Sequence, residues 1–366
     1  MIISIDKKEL AEAVNSVSRF AERRSTTLPI LAGIVIVAGD DGIKLRATNL
    51  ETGIDRKISG TIKESGVVAL PATTFREITA SFSGTGTVTL EHGGDTLVIS
   101  SGTGRSTLKT LSYEDFPILP FPEATTVKFS IQGAQLRNLI TTVAACASTS
   151  TVRPELASIF FSSEGGTIKA VATDSFRLSE KKLTVSGNTS PFSLLIPAKN
   201  ILDVVQTLPD EMIEVRSDDH QCAFSCPSMM ITTRLVTTSY PDYTQIIPKS
   251  FIAEATVLRK DLEASLRRSA VFSDSFQKVR VGFSTGDKKV SISAHNNDVG
   301  DSSEALTSAV SGESIELSFN HRYLTAPLSL ITTESITLSA SGIGRPLVIR
   351  GVGDETYLYL VMPMNQ

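Results

Sequence analysis

A histidine and two cysteines stand close together in the middle of the chain and are the first candidates for chemistry. His220, Cys222 and Cys226 have the spacing H-x-C-x-x-x-C, and imidazole and thiolate groups both bind zinc. The surrounding residues alternate between apolar and polar, and no second pair of ligands follows. This pattern favours a half-buried strand with two small cysteines, so we expect no metal site.

Motifs for nucleotide binding and nucleophilic catalysis are also absent from the sequence. It contains neither G-x-x-x-x-G-K-[ST] nor G-x-S-x-G. Gly102 and Gly104 form a brief G-x-G with no helical pattern after it, which is more typical of a hairpin turn than of a phosphate-binding loop. His92, His295 and His321 have no obvious acidic partner, although the sequence leaves a nucleophile–base pair open. We expect no cofactor and no catalysis.

Basic residues are the remaining candidates, and they recur on predicted helices. A single basic residue on a helix is usually solvated, but a pattern shared by repeats favours helices turned toward a polyanion. Those on the predicted helices are Arg76, Arg137, Lys199, Arg267 and Arg268, and Arg19, Arg23 and Arg24 follow the first helix.

These helices belong to a threefold repeat, which indicates the architecture. A strand followed by an amphipathic helix is predicted at ISIDKKELAEAV, FSIQGAQLRNLI and EATVLRKDLEASL, in which Leu10, Leu136 and Leu262 are 126 residues apart. Asp6 and Glu9 have the spacing of a capping box. A second block recurs as ALPATTFREI, LIPAKNILDVV and LSFNHRYLTAPL. Proline is an early helical residue in its first two copies, whereas Pro327 should kink or shorten the third helix.

The stretches between these blocks alternate like strands, and GTVTLEHGGDTLVISS has a hairpin signal in its Gly-Gly-Asp turn. Each unit therefore contains strand, helix and several strands, twice over. We predict an α+β fold of three repeated domains with two helices each, over residues 1–125, 126–250 and 251–366.

Length and composition agree with several soluble domains. The 366 residues are 41% hydrophobic and 20% charged, with a formal net charge of −4, which excludes a disordered chain and a generic basic DNA-coating protein. The longest nearly apolar run, residues 28–39, contains Pro29 and is shorter than the roughly 20 residues of a membrane helix. With three cysteines and no signal peptide, the sequence predicts a cytoplasmic protein without membrane association.

Four segments together resemble the bacterial sliding clamps, the beta subunits of DNA polymerase III. They are RRSTTLPILAGIVI, VATDSFRLS, YPDYTQIIP and the terminal VMPM. The resemblance covers essentially the whole chain. It implies a head-to-tail homodimeric ring with inner helices and outer antiparallel sheets, which encircles duplex DNA without sequence preference and tethers the replicative polymerase.

The resemblance implies two binding sites. The DNA-facing residues would be Arg24, Arg137, Arg153, Lys199, Arg267 and Arg268. An apolar cleft between the second and third domains would receive short Gln/Leu/Phe-rich peptides of polymerases, the clamp loader and repair proteins. Its lining would be Leu156, Thr173, Ser175, Phe176, Arg177, Leu178, Pro241, Ile246, Ile247, Leu360, Val361, Met362, Pro363 and Met364.

Three positions depart from the family pattern. Phe176 replaces a polar aromatic residue, which would make the cleft more apolar, while Gln245 and Asn365 replace common basic residues. At the dimer contact, Leu108, Val271 and Phe272 fall at the matching positions, with a core location as the alternative for each. The alternatives are a repeat-built hydrolase, for which the sequence contains no catalytic constellation, and a β-rich scaffold without DNA encirclement.

Overall fold

The computed structural model describes residues 1–23, 27–119, 121–122, 126–185 and 190–364. The chain forms two compact units. The first comprises Met1–Arg137 and Lys199–Thr237, and the second comprises Asn138–Ala198 and Thr238–Gln366. Among the described residues, no helix is long and apolar enough to cross a membrane.

Short helices alternate with many strands along the described chain. The helices are α1 (Lys7–Val17), α2 (Ala72–Ala80), α3 (Gly133–Ala144), α4 (Ala198–Thr207), α5 (Arg259–Val271) and α6 (His321–Thr325). The strands up to the second helix pair are β1 (Ile2–Asp6), β2 (Gly33–Gly39), β3 (Gly42–Thr48), β4 (Thr52–Ile58), β5 (Thr61–Glu64), β6 (Gly66–Pro71), β7 (Thr87–Gly93), β8 (Thr96–Ser101), β9 (Gly104–Lys109), β10 (Val127–Gln132), β11 (Ser158–Glu164), β12 (Thr167–Thr173), β13 (Arg177–Thr184) and β14 (Phe192–Pro197). The remaining strands are β15 (Met212–Ser217), β16 (Gln221–Cys226), β17 (Met229–Arg234), β18 (Ala253–Leu258), β19 (Lys278–Ser284), β20 (Lys289–Asn296), β21 (Gly300–Thr307), β22 (Ala309–Gly312), β23 (Ile315–Asn320), β24 (Ser335–Ala340), β25 (Leu347–Gly351) and β26 (Tyr357–Val361).

The first unit contains two antiparallel sheets. One has five strands in the order β5-β1-β7-β8-β9, and the other has eight in the order β10-β15-β16-β17-β4-β3-β2-β6. Sequence-distant strands meet in the larger sheet, where β17 pairs with β4 and Ile231 lies opposite Ile54. Both isoleucines are fully buried.

The second unit also contains two antiparallel sheets. Its larger sheet has nine strands in the order β14-β11-β12-β13-β26-β25-β24-β18-β22, and its smaller one has the order β21-β20-β19-β23. Near the end of the described chain, β26 pairs with β13, so Leu360 lies opposite Leu178. This pairing brings the residues that follow β26 next to the turn that precedes β13.

The backbone confirms the threefold repeat. The first residue of each long helix donates its N–H to a carbonyl from the second half of its own repeat: Lys7 to Gly86 (2.9 Å), Gly133 to Glu211 (2.8 Å) and Arg259 to Glu334 (2.9 Å). In each case a strand leads directly into the helix. The described residues contain six α-helices, the number that the sequence predicts.

Helix α1 shows why these segments become helical. Asp6 caps it by accepting from the N–H groups of Lys8 (2.9 Å) and Glu9 (3.1 Å), and its buried face carries Leu10, Ala13, Val14 and Val17. The prediction of a full capping box is wrong, however. The Glu9 carboxylate accepts from the Ser59 N–H (2.6 Å) instead, because strand β4 ends beside the helix and its flanking N–H needs an acceptor.

The prolines of the second block act at the helix boundaries. Pro71 is the N-cap residue of α2 and Pro197 is the last residue of β14. The prediction that both are early helical residues is therefore wrong, because each precedes its helix. Pro327 shortens the third copy, as the sequence predicts: α6 has only five residues and continues as a 3-10 turn over Ala326–Ser329.

The predicted cysteine-bearing strand and the predicted hairpins are also confirmed. Cys222 is buried and Cys226 half-buried in strand β16. Strands β7, β8 and β9 form consecutive hairpins, with Gly102 at a φ of 60° in the second turn. Across the described residues, no group of three or more His, Cys, Asp or Glu side chains is arranged to hold a metal ion.

Candidate functional site

An apolar cavity of about 540 Å³ lies in the second unit, beside the end of β26. Aromatic and methionine side chains make most of its wall, and Ser175 and Asn320 are its polar members. The lining residues are Ser175, Phe176, Phe276, Asn320, Tyr323, Met362, Pro363 and Met364. Methionine thioethers adapt to ligands of different shape, so this cavity suits an apolar segment of a partner.

The turn between β12 and β13 presents Phe176 to the cavity. The Asp174 carboxylate accepts from the N–H groups of Phe176 and Arg177, both at 3.0 Å, and the Thr173 hydroxyl donates to the Arg177 carbonyl at 2.7 Å. Ser175 has a φ of 77°, which is uncommon for a residue other than glycine. These bonds hold the turn in one conformation and leave the Phe176 side chain 61% exposed.

Residues 362–364 form the facing wall, and backbone hydrogen bonds hold them on both sides. The Met362 N–H donates to the Phe176 carbonyl (2.8 Å), and the Met364 N–H donates to the Ser318 carbonyl (2.7 Å). Both methionines and the intervening Pro363 are half-buried. The wall is therefore ordered while its side chains still face the cavity.

An aromatic pair and a guanidinium complete this side of the cavity. The rings of Phe176 and Tyr323 stack with centroids 6.5 Å apart, and the Arg177 guanidinium lies 4.6 Å from the Tyr323 centroid. Arg177 is already engaged, since it donates to Asp174 (3.0 Å) and to the Ala145 carbonyl (2.6 Å). Its charge thus supports the wall rather than standing free for a ligand.

The neighbouring histidine adds no charge at neutral pH. Burial, together with the adjacent Arg322 guanidinium, lowers the pKa of His321 below its ordinary value. Asn320 accepts from the Arg322 N–H (3.0 Å) and donates to the Phe276 carbonyl (3.3 Å). The cavity is accordingly apolar with one oriented side-chain amide, and an apolar wall with few polar groups is the usual composition of a recognition pocket.

Apart from Arg177, whose contacts are given above, the predicted cleft residues divide into three groups. Ser175, Phe176, Met362, Pro363 and Met364 line the cavity. A second group is buried in the protein interior rather than exposed in the cavity: Leu156, Thr173, Leu178, Leu360 and Val361. These five residues support the wall, because they belong to or adjoin the strands that carry it.

The third group belongs to the connector, which we define as residues 238–248. Ile247 packs against an apolar cluster that includes the buried residues Leu178 and Leu360, and so does Met362. Ile246 is 47% exposed and Pro241 is exposed. Met362 therefore has two roles, lining the cavity and packing in the same apolar cluster as the connector.

Three lining residues were missed by the sequence prediction: Phe276, Asn320 and Tyr323. Asn320 and Tyr323 belong to LSFNHRYLTAPL, which the repeat had already singled out as a helix block. Phe276 follows the third long helix. The repeated sequence pattern indicated the elements near these three residues, but it did not indicate which side chains face a cavity.

A larger recess of about 840 Å³ lies on the four-stranded sheet and is mainly polar. Its lining includes Asp274, Lys278, Arg280, His295 and Asp301. Opposite charges stand side by side there, without the apolar anchors that concentrate binding energy in a small area. We therefore take the smaller, apolar cavity as the candidate site.

Most of the predicted DNA-facing residues are engaged within the protein. Arg137 donates to the carbonyls of Val205 (2.9 Å) and Leu208 (2.5 Å) and pairs with Asp210 (2.5 Å). Arg268 pairs with Glu304, and Arg153 with Glu155 at 2.9 Å. These pairs leave each guanidinium less available to a phosphate than its residue type suggests.

Two of the set are more accessible. Arg267 is 79% exposed and pairs with Glu263 along the helix (3.1 Å), and Lys199 is exposed at the start of α4. Arg24 lies outside the described residues, as does Asn365. The structure leaves the DNA contact of all six residues as a prediction.

The predicted dimer residues lie on or near sheet edges. Leu108 is buried on β9, the last strand of the five-stranded sheet. Val271 is 66% exposed and Phe272 is half-buried at the end of α5. Leu108 therefore packs within its own unit, whereas Val271 presents an apolar side chain to solvent.

Comparisons with known proteins agree over the full length. Models of the N-terminal, central and C-terminal domains of the DNA polymerase III beta subunit match residues 1–120, 130–242 and 244–365. The beta sliding clamp of Bacillus subtilis is 29% identical over 380 residues and that of Synechococcus elongatus 27% over 368, covering 100% and 98% of both chains respectively.

Solved structures give the same result. The DNA polymerase sliding clamp of Bacillus subtilis has a TM-score of 0.93 at 27% identity, covering 100% of this chain and 99% of that one. The DNA polymerase III beta chain of Streptococcus pneumoniae has a TM-score of 0.93 at 28% identity, covering 100% of both. The predicted α+β fold of three repeated domains is confirmed, and the chain belongs to the DNA polymerase III beta subunit family, the bacterial beta sliding clamps.

Proposed function

We propose that this protein is a processivity factor that encircles duplex DNA and tethers the replicative polymerase to it. The observation that carries the proposal is the match of all three domains, in order, to DNA polymerase III beta subunits. The protein holds its partners to DNA by topology and catalyses no reaction. It acts in the bacterial cytoplasm, where the chromosome lies.

In this proposal two copies join head to tail into a ring with the helices inside and the sheets outside. Each chain contributes three domains, with boundaries near residues 125/126 and 250/251. Among the described strands, β9 and β21 each end a sheet, so each has an edge with no described partner, and such an edge is a template for adding a strand from another chain. Exposed Arg105 and Lys109 on β9 complement exposed Asp301 on β21.

Sliding requires attraction to phosphates without reading of bases. Contacts to phosphates are independent of sequence and depend on salt, whereas base-edge contacts would create preferred stopping points. Lys199 and Arg267 are exposed members of the proposed set, to which Arg24 also belongs. A net charge of −4 suits a ring retained by topology, since overall basicity is then unnecessary.

The apolar cavity beside β26 supports the docking of partner proteins. We assign to it short Gln/Leu/Phe-rich peptides of polymerases, the clamp loader and repair proteins. Docking through a few apolar anchors in a preformed groove is a common mode of peptide recognition. The Phe176–Tyr323 stack and the methionines supply the walls for such anchors.

The test is retention on DNA of two topologies. The protein is loaded with a cognate clamp loader and ATP onto nicked circular DNA and onto the same DNA linearised. Long retention on the circle and rapid loss from the linear form at moderate salt is the expected result. Equal retention on both, with a loader of proven activity, would refute encirclement.

A further inference from the structure

A buried carboxylate lies in the apolar cluster behind the candidate cleft. Glu180 is only 5% exposed. On the sheet it stands between Val171 of β12 and Leu358 of β26, two members of the cluster that also contains Leu178, Tyr243, Val348 and Leu360. A carboxylate in such surroundings is costly unless it is hydrogen-bonded.

The partner of this carboxylate comes from the connector. The Tyr243 hydroxyl donates to Glu180 Oε2 at 2.6 Å, and Lys182 Nζ lies 3.0 Å from Glu180 Oε1. Tyr243 is itself 8% exposed, and both burial and the Glu180 acceptor raise its pKa, so the phenol keeps its proton. The bond therefore joins β13 to the connector across the apolar cluster.

The connector is well ordered around this bond. Asp242 accepts from the Thr244 N–H (3.2 Å) and from the Gln245 side chain (2.9 Å), and the Tyr240 ring stacks on Phe160 with centroids 5.0 Å apart. Apolar contacts alone tolerate sliding, but a buried donor and acceptor are satisfied in one register only. The Tyr243–Glu180 bond is thus the contact that specifies where the connector lies.

Resting on the proposed function, we propose that Glu180 and Tyr243 are positioning residues for partner-peptide binding. They hold the connector on β13, the connector's Ile247 packs in the cluster with Met362, and Met362 lines the cavity. Breaking the bond lets the connector shift and removes support from Met362. Neither residue lines the cavity, so any effect on peptide binding is indirect.

The chain offers a matched set of variants. Tyr243→Phe removes one hydroxyl, Glu180→Ala removes the acceptor, and Glu180→Gln retains an acceptor without the charge. Tyr240→Phe is the control, because it removes a hydroxyl from the same connector and leaves the bond between Tyr243 and Glu180 in place. The full-length protein is titrated into a fluorescein-labelled Gln/Leu/Phe-rich peptide, and binding is followed by anisotropy at a temperature where every variant is folded.

Tyr243→Phe and Glu180→Ala are expected to weaken peptide binding by roughly five- to twentyfold, part of what a hydrogen bond to a charged group contributes. Glu180→Gln, which keeps an acceptor but loses the charge, should weaken binding less than Glu180→Ala, and Tyr240→Phe should stay within about twofold of wild type. Hydrogen exchange at the backbone amides of the connector should accelerate in Tyr243→Phe and Glu180→Ala only. Adding Tyr243→Phe to Glu180→Ala should weaken peptide binding no further.

Two results would overturn the inference, and they are distinguishable. Wild-type affinity in folded Tyr243→Phe and Glu180→Ala would show that the bond does not position the cleft, while leaving the proposed function intact. Failure of the wild-type protein itself to bind the peptide would remove the proposed docking site and the inference together.

Discussion

Arg137 was predicted to face DNA, but its hydrogen bonds predict a role in stability. Its guanidinium reaches the carbonyls of Val205 and Leu208 at the C-terminal end of α4 and the Asp210 carboxylate. The last carbonyls of a helix lack intrahelical partners, and a cation there also meets the negative end of the helix dipole. Arg137→Ala should therefore leave two carbonyls unsatisfied.

The magnitude follows from these contacts. A hydrogen bond to a charged group contributes about 1.5 to 3 kcal/mol, whereas the pair with Asp210, whose side chain is 65% exposed, contributes less than about 1 kcal/mol. Because such bonds are not additive, Arg137→Ala should lower the free energy of unfolding by about 2 to 4 kcal/mol. Asp210→Ala should cost under about 1 kcal/mol, and so should the control Arg267→Ala.

The assay is urea unfolding followed by circular dichroism, with hydrogen exchange at α4 amides to locate the loss. Arg137→Ala should lower the urea midpoint and expose α4, and Asp210→Ala should change little. Equal costs for the two variants would mean that the ion pair is the main contribution, and a cost below about 0.5 kcal/mol for Arg137→Ala would refute the capping argument.

Four further predictions rest on other parts of the structure. Met362→Asp should abolish peptide binding in anisotropy titrations without unfolding the protein, because it places a carboxylate against Phe176 and Tyr323; retained affinity would exclude the cavity. Arg105→Glu should weaken the proposed dimer by at least about tenfold in sedimentation velocity, with partial recovery when combined with Asp301→Lys; an unchanged dimer would exclude the β9–β21 pairing. Gly133→Ala should destabilise the chain by more than about 2 kcal/mol in urea unfolding, since a Cβ there would lie 2.0 Å from the Pro209 carbonyl oxygen. The Arg268 guanidinium donates to Glu304 and holds the pKa of that carboxyl below its ordinary value. The pair therefore stabilises the fold above the unfolded-state pKa of Glu304 and loses this contribution as the pH falls through the folded-state pKa. The difference in unfolding free energy between wild type and Glu304→Gln should accordingly disappear on acidification.

The repeat could be recognised in the sequence because each copy forms the same elements for the same local reasons. Apolar residues at helical spacing, Asp6 as a cap and alternating strands specify elements through contacts between near neighbours in sequence. Pro327 shortens its helix for an equally local reason, the missing N–H and the ring clash with the preceding turn. The resemblance to sliding clamps likewise depended on short segments that need no tertiary structure to be recognised.

The cavity depended on pairing between distant segments. Phe176 and Met362 meet only because β13 pairs with β26, and Phe276 and Tyr323 join them from a loop and a helix that give no sequence signal of a shared wall. Composition also could not distinguish exposed basic side chains from those that are hydrogen-bonded within the protein, because Arg137 becomes a helix cap only when α4 ends beside it. The elements, their threefold order and the family could be predicted from the sequence, because these depend on local propensity and short motifs. Which side chains are buried, paired or exposed in the cleft could not, because those outcomes depend on contacts between residues far apart in the chain.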